Sequence, residues 1–517
     1  MPAKVIRAAL LLVIGVIAVF TFSLVDPVLD EQGKKDVSNA SKSKGNITVA
    51  VDNWIGYFML RASEMKGFMR KRGWNVVIRN EGDAVDYKER MRQLEAGEID
   101  FAVMTVDSYI LNAAQFNFPG VIVMVIDESK GGDAILANRN KLTTLDDMKG
   151  KNLRVGFTPN SPSHHFAKAT SNYFRIPELL DGFTETDGST DAVDRLLKGD
   201  LDVVVAWESD VSRALENPSI IKLMGTEDTK NLIVDILVVN TDFAKENPEA
   251  VELLVDGSFR ALKKYRDNPD ALKAEIKDET GFSDEQIDSM LGGVEWVNLT
   301  DNCEKWFGVD SSGGYGGEFG LADTIDATIG LLRDVGDFSS NPIPDENPDR
   351  LINASFLEKL CSNNSFGITV PGEGAVASSE TEAFPPLSEN GWNSLEEKGT
   401  LGMDQIVFGS GSYELNLINK NIIDKAVANL SHYPKYYLIV KGHTGLRGDK
   451  DANIALSQER ADSVVRYSKL AHGIDPNRIR AVGLGGEEPL PRGRNESKRS
   501  YGYRLPRVEL VLAREIY

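Results

Sequence analysis

Aromatic and acidic residues sit just beyond short β-branched runs in the first half of the chain, and this placement bounds the chemistry available to it. Trp54 and Tyr57 follow Ile47-Thr48-Val49-Ala50-Val51, Asp107 follows Phe101-Ala102-Val103-Met104, and Trp207 closes Val203-Val204-Val205-Ala206. Asp133, Ser161 and Asp235 fall at comparable predicted strand ends. Aromatic faces supply apolar area and a few polar groups set orientation, which is how a small-molecule cleft is built. The same residues have plainer uses: Trp54 and Trp207 as core packing, Asp107 and Asp133 as helix caps or hinge contacts. Thr158-Pro159-Asn160-Ser161-Pro162-Ser163 opens a predicted helix whose free N–H groups and hydroxyls suit an anion. The carboxylates suit a cation, an amine or a zwitterion, so the ligand's charge stays open.

Catalytic chemistry finds little support. His164-His165 is the one histidine pair, and adjacent helical residues point about 100° apart, so they rarely share a ligand. Cys303 and Cys361 are the only cysteines and lie in no metal-type spacing. Two free thiols and, in an oxidising compartment, one disulfide are both open. The expectation is a protein without turnover, metal or cofactor.

Positioning these residues requires more than one core, because 517 residues allow roughly three units of ordinary size. Lys and Arg number 58 against 78 Asp and Glu, a net charge of −20, so no nucleic acid is expected as a partner. The charge is uneven: from Thr400 onward 18 Lys and Arg stand against 13 Asp and Glu.

Lys4 and Arg7 precede an uncharged apolar run, Ala8 to Val25, which as a helix spans about 27 Å. It is longer than the core of a cleaved signal, and the nearest small-x-small site is Thr21-Phe22-Ser23. The expectation is an uncleaved single-pass inner-membrane anchor over residues 1–25, with a cleaved signal as the alternative; both place the bulk in the periplasm. Residues 26–46 form a polar stalk.

From residue 47 short apolar strands alternate with helices, a pattern that predicts a parallel α/β sheet. The beat recurs from Leu153 to Trp207, so two lobes are expected with a cleft at the C-terminal ends of their strands. Residues 362–399 break all periodicity and predict a flexible linker. In 400–517 a strand near Gln405–Phe408 begins an α+β order, β-α-β-α-β-β, with helices on one sheet.

Residues 47–361 resemble the nitrate/sulfonate/taurine-type substrate-binding proteins of ABC importers, a type II periplasmic binding fold. Asn53-Trp54-Ile55-Gly56-Tyr57, Leu94-Glu95-Ala96-Gly97-Glu98-Ile99-Asp100, Asp127-Glu128-Ser129-Lys130-Gly131-Gly132-Asp133-Ala134 and Val205-Ala206-Trp207-Glu208 carry the likeness by order and spacing. The resemblance implies a two-lobe receptor for a small solute; the same fold also serves enzymes that make the thiamine pyrimidine.

Residues 400–517 resemble OmpA-like peptidoglycan-binding domains through Val440-Lys441-Gly442-His443-Thr444, Asn453-x-x-Leu456-Ser457-x-x-Arg460-Ala461 and Gly483-x-Gly485-Gly486. The likeness points to Thr444, Asn453, Ser457 and Arg460 as the wall-binding residues. In that family an Asp straight after Gly-His-Thr and the Arg of Ser-x-x-Arg clasp diaminopimelate. The Asp position here is Gly445, so a weakened site is expected, with Asp449 or Asp451 as substitutes or as mere helix caps.

These readings combine into a membrane-tethered extracytoplasmic solute-binding protein, anchored to or docked on the wall and read by an ABC permease. The competing class is a structural envelope linker that binds no solute. An ion-driven stator is disfavoured, because Ala8 to Val25 contains no Asp.

Overall fold

The computed structural model describes residues 43–309, 320–362, 384–409 and 411–515. The predicted anchor and most of the stalk lie outside them; among the described residues no helix is long and apolar enough to cross a membrane.

The chain lays down β1 (Gly45–Val51), β2 (Trp74–Asn80), β3 (Phe101–Thr105) and β4 (Gly120–Ser129). It crosses to a second lobe for β5 (Asp133–Asn138), β6 (Val155–Phe157), β7 (Thr184–Glu185), β8 (Val203–Trp207) and β9 (Ile220–Gly225). It then returns for β10 (Val234–Asn240) and β11 (Val294–Trp296). The sheets run β11-β4-β10-β3-β1-β2 and β7-β6-β8-β5-β9. Every residue of β3 and β10 is buried, as expected for strands covered on both faces.

The sheets are mixed rather than parallel. β1 is parallel to β2 and β3, but β10 is antiparallel to β3 and β4, and β5 is antiparallel to β8 and β9. The two crossovers explain this. Strands followed by helices end at the cleft, whereas a strand arriving from the other lobe starts at the cleft and must run the opposite way. Asp133 and Asp235 therefore lie at strand beginnings, not ends.

The helical segment after β10 packs on the first lobe, where Pro248–Asp267 meets Ser63–Lys71. Cys303 and Cys361 are joined as a disulfide with Cα atoms 6.0 Å apart, which closes the choice the sequence left open. In the second lobe the main helix is α1 (Pro162–Phe174).

The last unit runs β12 (Glu396–Thr400), α2 (Leu417–Leu430), β13 (Tyr437–His443), α3 (Lys450–His472), β14 (Ile479–Gly483) and β15 (Arg507–Arg514), with sheet order β12-β15-β13-β14. Its first strand falls at Glu396–Thr400, inside the stretch read as linker, and Gln405–Phe408 is not a strand. After Leu401 N–H donates to Leu510 O at 2.8 Å, the chain leaves the sheet, and Gly402 N–H donates to Tyr173 O of the second lobe at 2.7 Å.

That departure belongs to a shared core. Tyr173 stacks on His432 with centroids 4.9 Å apart, Phe174 meets Tyr433 edge-on at 5.5 Å, and Tyr436 O–H donates to Asp228 at 2.8 Å. Side chains of the second lobe and of the last unit form one buried apolar cluster. The two units are thus seated together rather than held apart by free coil.

Candidate functional site

The crossovers aim carboxylates into the space between the lobes. Asp235 of β10 is in register with Thr105 of β3 and with Asp127 of β4, so three polar side chains lie level across adjacent strands. In the second lobe Asp133, at the start of β5, pairs in register with Trp207 at the end of β8. Directly paired residues share a sheet face, which is why each pair meets the same space.

Trp54 joins the two groups. Its Nε1–H donates to Asp127 Oδ1 at 3.1 Å, and its backbone N–H donates to Asp52 Oδ1 at 3.1 Å. Gly56 makes room: a Cβ there would stand 2.1 Å from Asp127 Oδ2 and 2.4 Å from Trp54 Nε1. Tyr57 O–H donates to Asp235 Oδ1. Ser129 Oγ donates to Asp133 Oδ2 at 2.7 Å, while Asp133 Oδ1 and Asp127 Oδ2 have no hydrogen-bond partner.

A small cavity lies between these groups. Trp54, Tyr57, Asp133, Trp207 and Asp235, all singled out in the sequence, line it. Asp107 and Ser161 do not. Asp107 begins the helix after β3 and acts on Asp133 and His165 through its charge. Ser161 caps α1: its Oγ accepts from His164 N–H at 3.4 Å and donates to Thr158 O at 2.6 Å. Pro162, which lines the cavity, lacks an N–H, so the turn offers an anion less than its sequence promised.

The sequence reading missed Asp52, Asp83, Tyr87, Asp127 and Arg90. Asp127 was the most findable, because it interrupts the apolar run Val121-Ile122-Val123-Met124-Val125-Ile126. Arg90, fully buried, pairs with Asp52 at 3.3 Å and Glu81 at 2.7 Å. It follows Tyr87 by one helical turn, donates to Val103 O of β3 at 2.5 Å, and its guanidinium lies 5.2 Å from the Tyr87 ring centroid.

Burial dominates the electrostatics. It pushes Asp127 up to about 7 against the hydrogen bond from Trp54, with Asp133 and Asp52 adding to the rise. It pushes Asp133 up to about 7 against the bond from Ser129, with Asp107 and Glu208 adding. Asp235 is raised well above the ordinary carboxylate range by burial and then by Asp127. Burial raises Asp52 as well, but there the Arg90 guanidinium opposes it.

The lobes meet over the cavity. Asp83 Oδ2 accepts Thr190 N–H at 3.0 Å, and Ser289 Oγ donates to Glu208 Oε1 at 3.3 Å. His164 packs against the stacked pair Phe157 and Phe183, and burial pushes it down to about 3, so it is neutral. Among the described residues no group of three or more His, Cys, Asp or Glu could hold a metal ion.

In the last unit, Gly442 lets β13 press on α3, since a Cβ would stand 2.1 Å from Ser457 O. Ser457 is buried; its Oγ accepts Gly485 N–H at 2.9 Å and donates to Ile454 O at 2.8 Å. Thr444 N–H donates to Gly485 O at 2.7 Å, and Asn453 Nδ2 donates to Arg447 O at 3.1 Å. Arg460 Nε donates to Ser412 O at 3.0 Å, and its guanidinium lies 4.9 Å from the Phe408 ring centroid. Burial lowers its pKa, and no carboxylate acts on it. The four gather on one side of α3, Ser457 as a structural clamp and Arg460 as a cation facing backbone carbonyls. Asp449 is a helix cap, accepting Ala452 N–H at 2.9 Å.

Two families match this architecture. Residues 407–502 match the OmpA family model and residues 55–272 the NMT1/THI5-like model. Over 87 residues, 17% of this chain, it is 37% identical to the probable lipoprotein YiaD of Escherichia coli, spanning 39% of that protein. Over 92 residues, 18% of this chain, it is 34% identical to the peptidoglycan-associated lipoprotein of Pasteurella multocida, spanning 61% of it. Among solved structures, it is similar to the periplasmic aliphatic sulphonate binding protein SsuA of Escherichia coli (17% identity, TM-score 0.46, 60% of this chain and 99% of that one). It is also similar to the periplasmic nitrate-binding protein NrtA of Synechocystis (14% identity, TM-score 0.46, 63% of this chain and 89% of that one). The first unit is thus similar to NMT1/THI5-like proteins over residues 55–272, and the last to OmpA-family domains over residues 407–502.

Proposed function

We propose that the chain is an extracytoplasmic receptor for a small solute, tethered at the inner membrane through its N-terminus, with its bulk in the periplasm. The lobes close on the ligand, and the closed form is presented to an ABC permease. The observation that carries this reading is the cavity at both crossovers, walled by Trp54, Tyr57 and Trp207 and holding Asp133 with an unpartnered oxygen. Closure follows if the ligand binds the closed form better than the open one. A compound screen by thermal shift on the full chain tests the receptor; a chain stabilised by no small molecule contradicts it.

The OmpA domain holds the receptor near the wall. The names of the relatives support peptidoglycan as its partner, while Gly445 in place of the expected Asp supports a weakened site. A second reading, a rigid envelope linker, is favoured by the core the last unit shares with the second lobe. The ligand screen separates the two.

A further inference from the structure

We infer that the cleft takes a small organic cation bearing an ammonium group, an assignment that rests on the receptor reading above. The cavity lining contains the carboxyl groups of Asp52, Asp83, Asp133 and Asp235 and, among the described residues, no Lys, Arg or His. Three of the four are already answered within the protein: Asp52 by Arg90, Asp83 by the N–H of Thr190, and Asp235 by the O–H of Tyr57. Asp133 is answered at one oxygen only, where Oδ2 accepts the Ser129 hydroxyl. It is 2% exposed and lines the cavity, and its Oδ1 has no donor. Behind it Asp127 and Asp235 stand in register on paired strands and are hydrogen-bonded to each other, so at least one of the two carboxyls carries a proton.

The walls agree with the charge. Trp54, Tyr57, Tyr87 and Trp207 line the same space, and ring faces attract cations, most strongly where water is excluded. An ammonium N–H group meets the open valence of Asp133 Oδ1, and its carbon substituents meet the rings. The competing ligands fit less well. A metal ion needs converging ligands, and the described residues supply no such cluster. An anion needs several donors, yet the Ser161 hydroxyl is spent on Thr158 O and the first residue of α1 is a proline, which leaves the Thr105 hydroxyl among four carboxyl groups.

Isothermal titration of the full chain with choline and putrescine as cationic probes, and with methanesulfonate and nitrate as anionic ones, tests this. A cationic probe is expected to bind, and Asp133→Asn to weaken it at least tenfold while the thermal midpoint holds or rises. Asp127→Asn, which touches neither Ser129 nor Thr226, serves as a second variant and is expected to act the same way. Tighter binding of an anionic probe, or cation binding unchanged in both variants, overturns the assignment and leaves the receptor standing. If all four probes are silent and a compound library yields only a neutral or anionic ligand, the assignment falls alone. If the library yields no ligand, the receptor reading falls with it.

Discussion

Arg514, on the last strand of the chain, donates to both carboxylate oxygens of Asp228 at 2.9 Å, and Asp228 lies two residues past Thr226 on the segment that returns to the first lobe. Thr226 Oγ1 in turn accepts the N–H groups of Gly131 at 3.0 Å and Asp133 at 3.2 Å on the other crossover. The last unit therefore grips the two-lobe unit beside its crossovers.

Removing Arg514 leaves Asp228 buried with only Tyr436 as donor. Losing one partner of a buried pair costs about 3 kcal/mol. Arg514→Ala should lower the thermal midpoint and increase amide exchange along 401–409 and 432–436, measured by hydrogen-exchange mass spectrometry. Unchanged exchange there would mean the docking does not depend on this pair.

The pH dependence follows from the raised carboxyls. Asp133 has a folded pKa of about 7, above its unfolded value of about 4. The folded state therefore holds the extra proton between these values, and stability is lost as pH rises from about 4 to about 7. Ser129, Thr226, Asp107 and Glu208 face this group, and none supplies a positive charge. Asp133→Asn has no proton to lose, so its advantage over the parent should open across that window, reach a few kcal/mol, and level off above pH 7. Urea denaturation at a series of pH values checks it; a constant difference would contradict it.

Much of this was legible in the residues. Continuous apolar runs such as Val203–Ala206 gave their strands, and the Gly-His-Thr and Ser-x-x-Arg spacings marked the OmpA domain. Trp54, Tyr57, Trp207, Asp133 and Asp235 were placed near one cleft because each borders such a run. Strand direction was not legible, since β5 and β10 look locally like their parallel neighbours and only the crossovers reverse them. Asp127 and Arg90 were passed over because a charge inside an apolar strand or helix face has meaning only once its partner across the sheet is known. The docking of the last unit was hidden because Tyr433 and Tyr436, far in sequence from Tyr173 and Asp228, carry no local periodicity.

The disulfide should matter to the first lobe. Cys303 and Cys361 are 58 residues apart, and closing a loop of that order stabilises by about 2–4 kcal/mol. Cys361→Ser, or a reductant, should lower the midpoint of unfolding by calorimetry; an unaffected midpoint would show that the helix Ser355–Ser362 adds little to the lobe.

The wall site offers a gain-of-function test. A Cβ at Gly445 meets open space, so Gly445→Asp should fold normally and give an arriving ammonium a carboxylate, worth about 1.5–3 kcal/mol. Sedimentation with peptidoglycan should be weak and salt-sensitive for the parent and stronger for this variant. Arg460→Ala should abolish it, with Arg460→Lys as the control that keeps the charge. Tight binding by the parent at high salt, unchanged in Gly445→Asp, would show that another carboxylate fills the role.

The most direct test of the central claim is a thermal-shift library screen of the full chain run in parallel on the parent and on Trp54→Ala. The account predicts at least one small molecule that raises the parent's midpoint, with affinity lowered in Trp54→Ala by about 1–3 kcal/mol through lost apolar burial. A library that shifts neither protein, or that shifts both equally, would contradict a receptor built around this cleft.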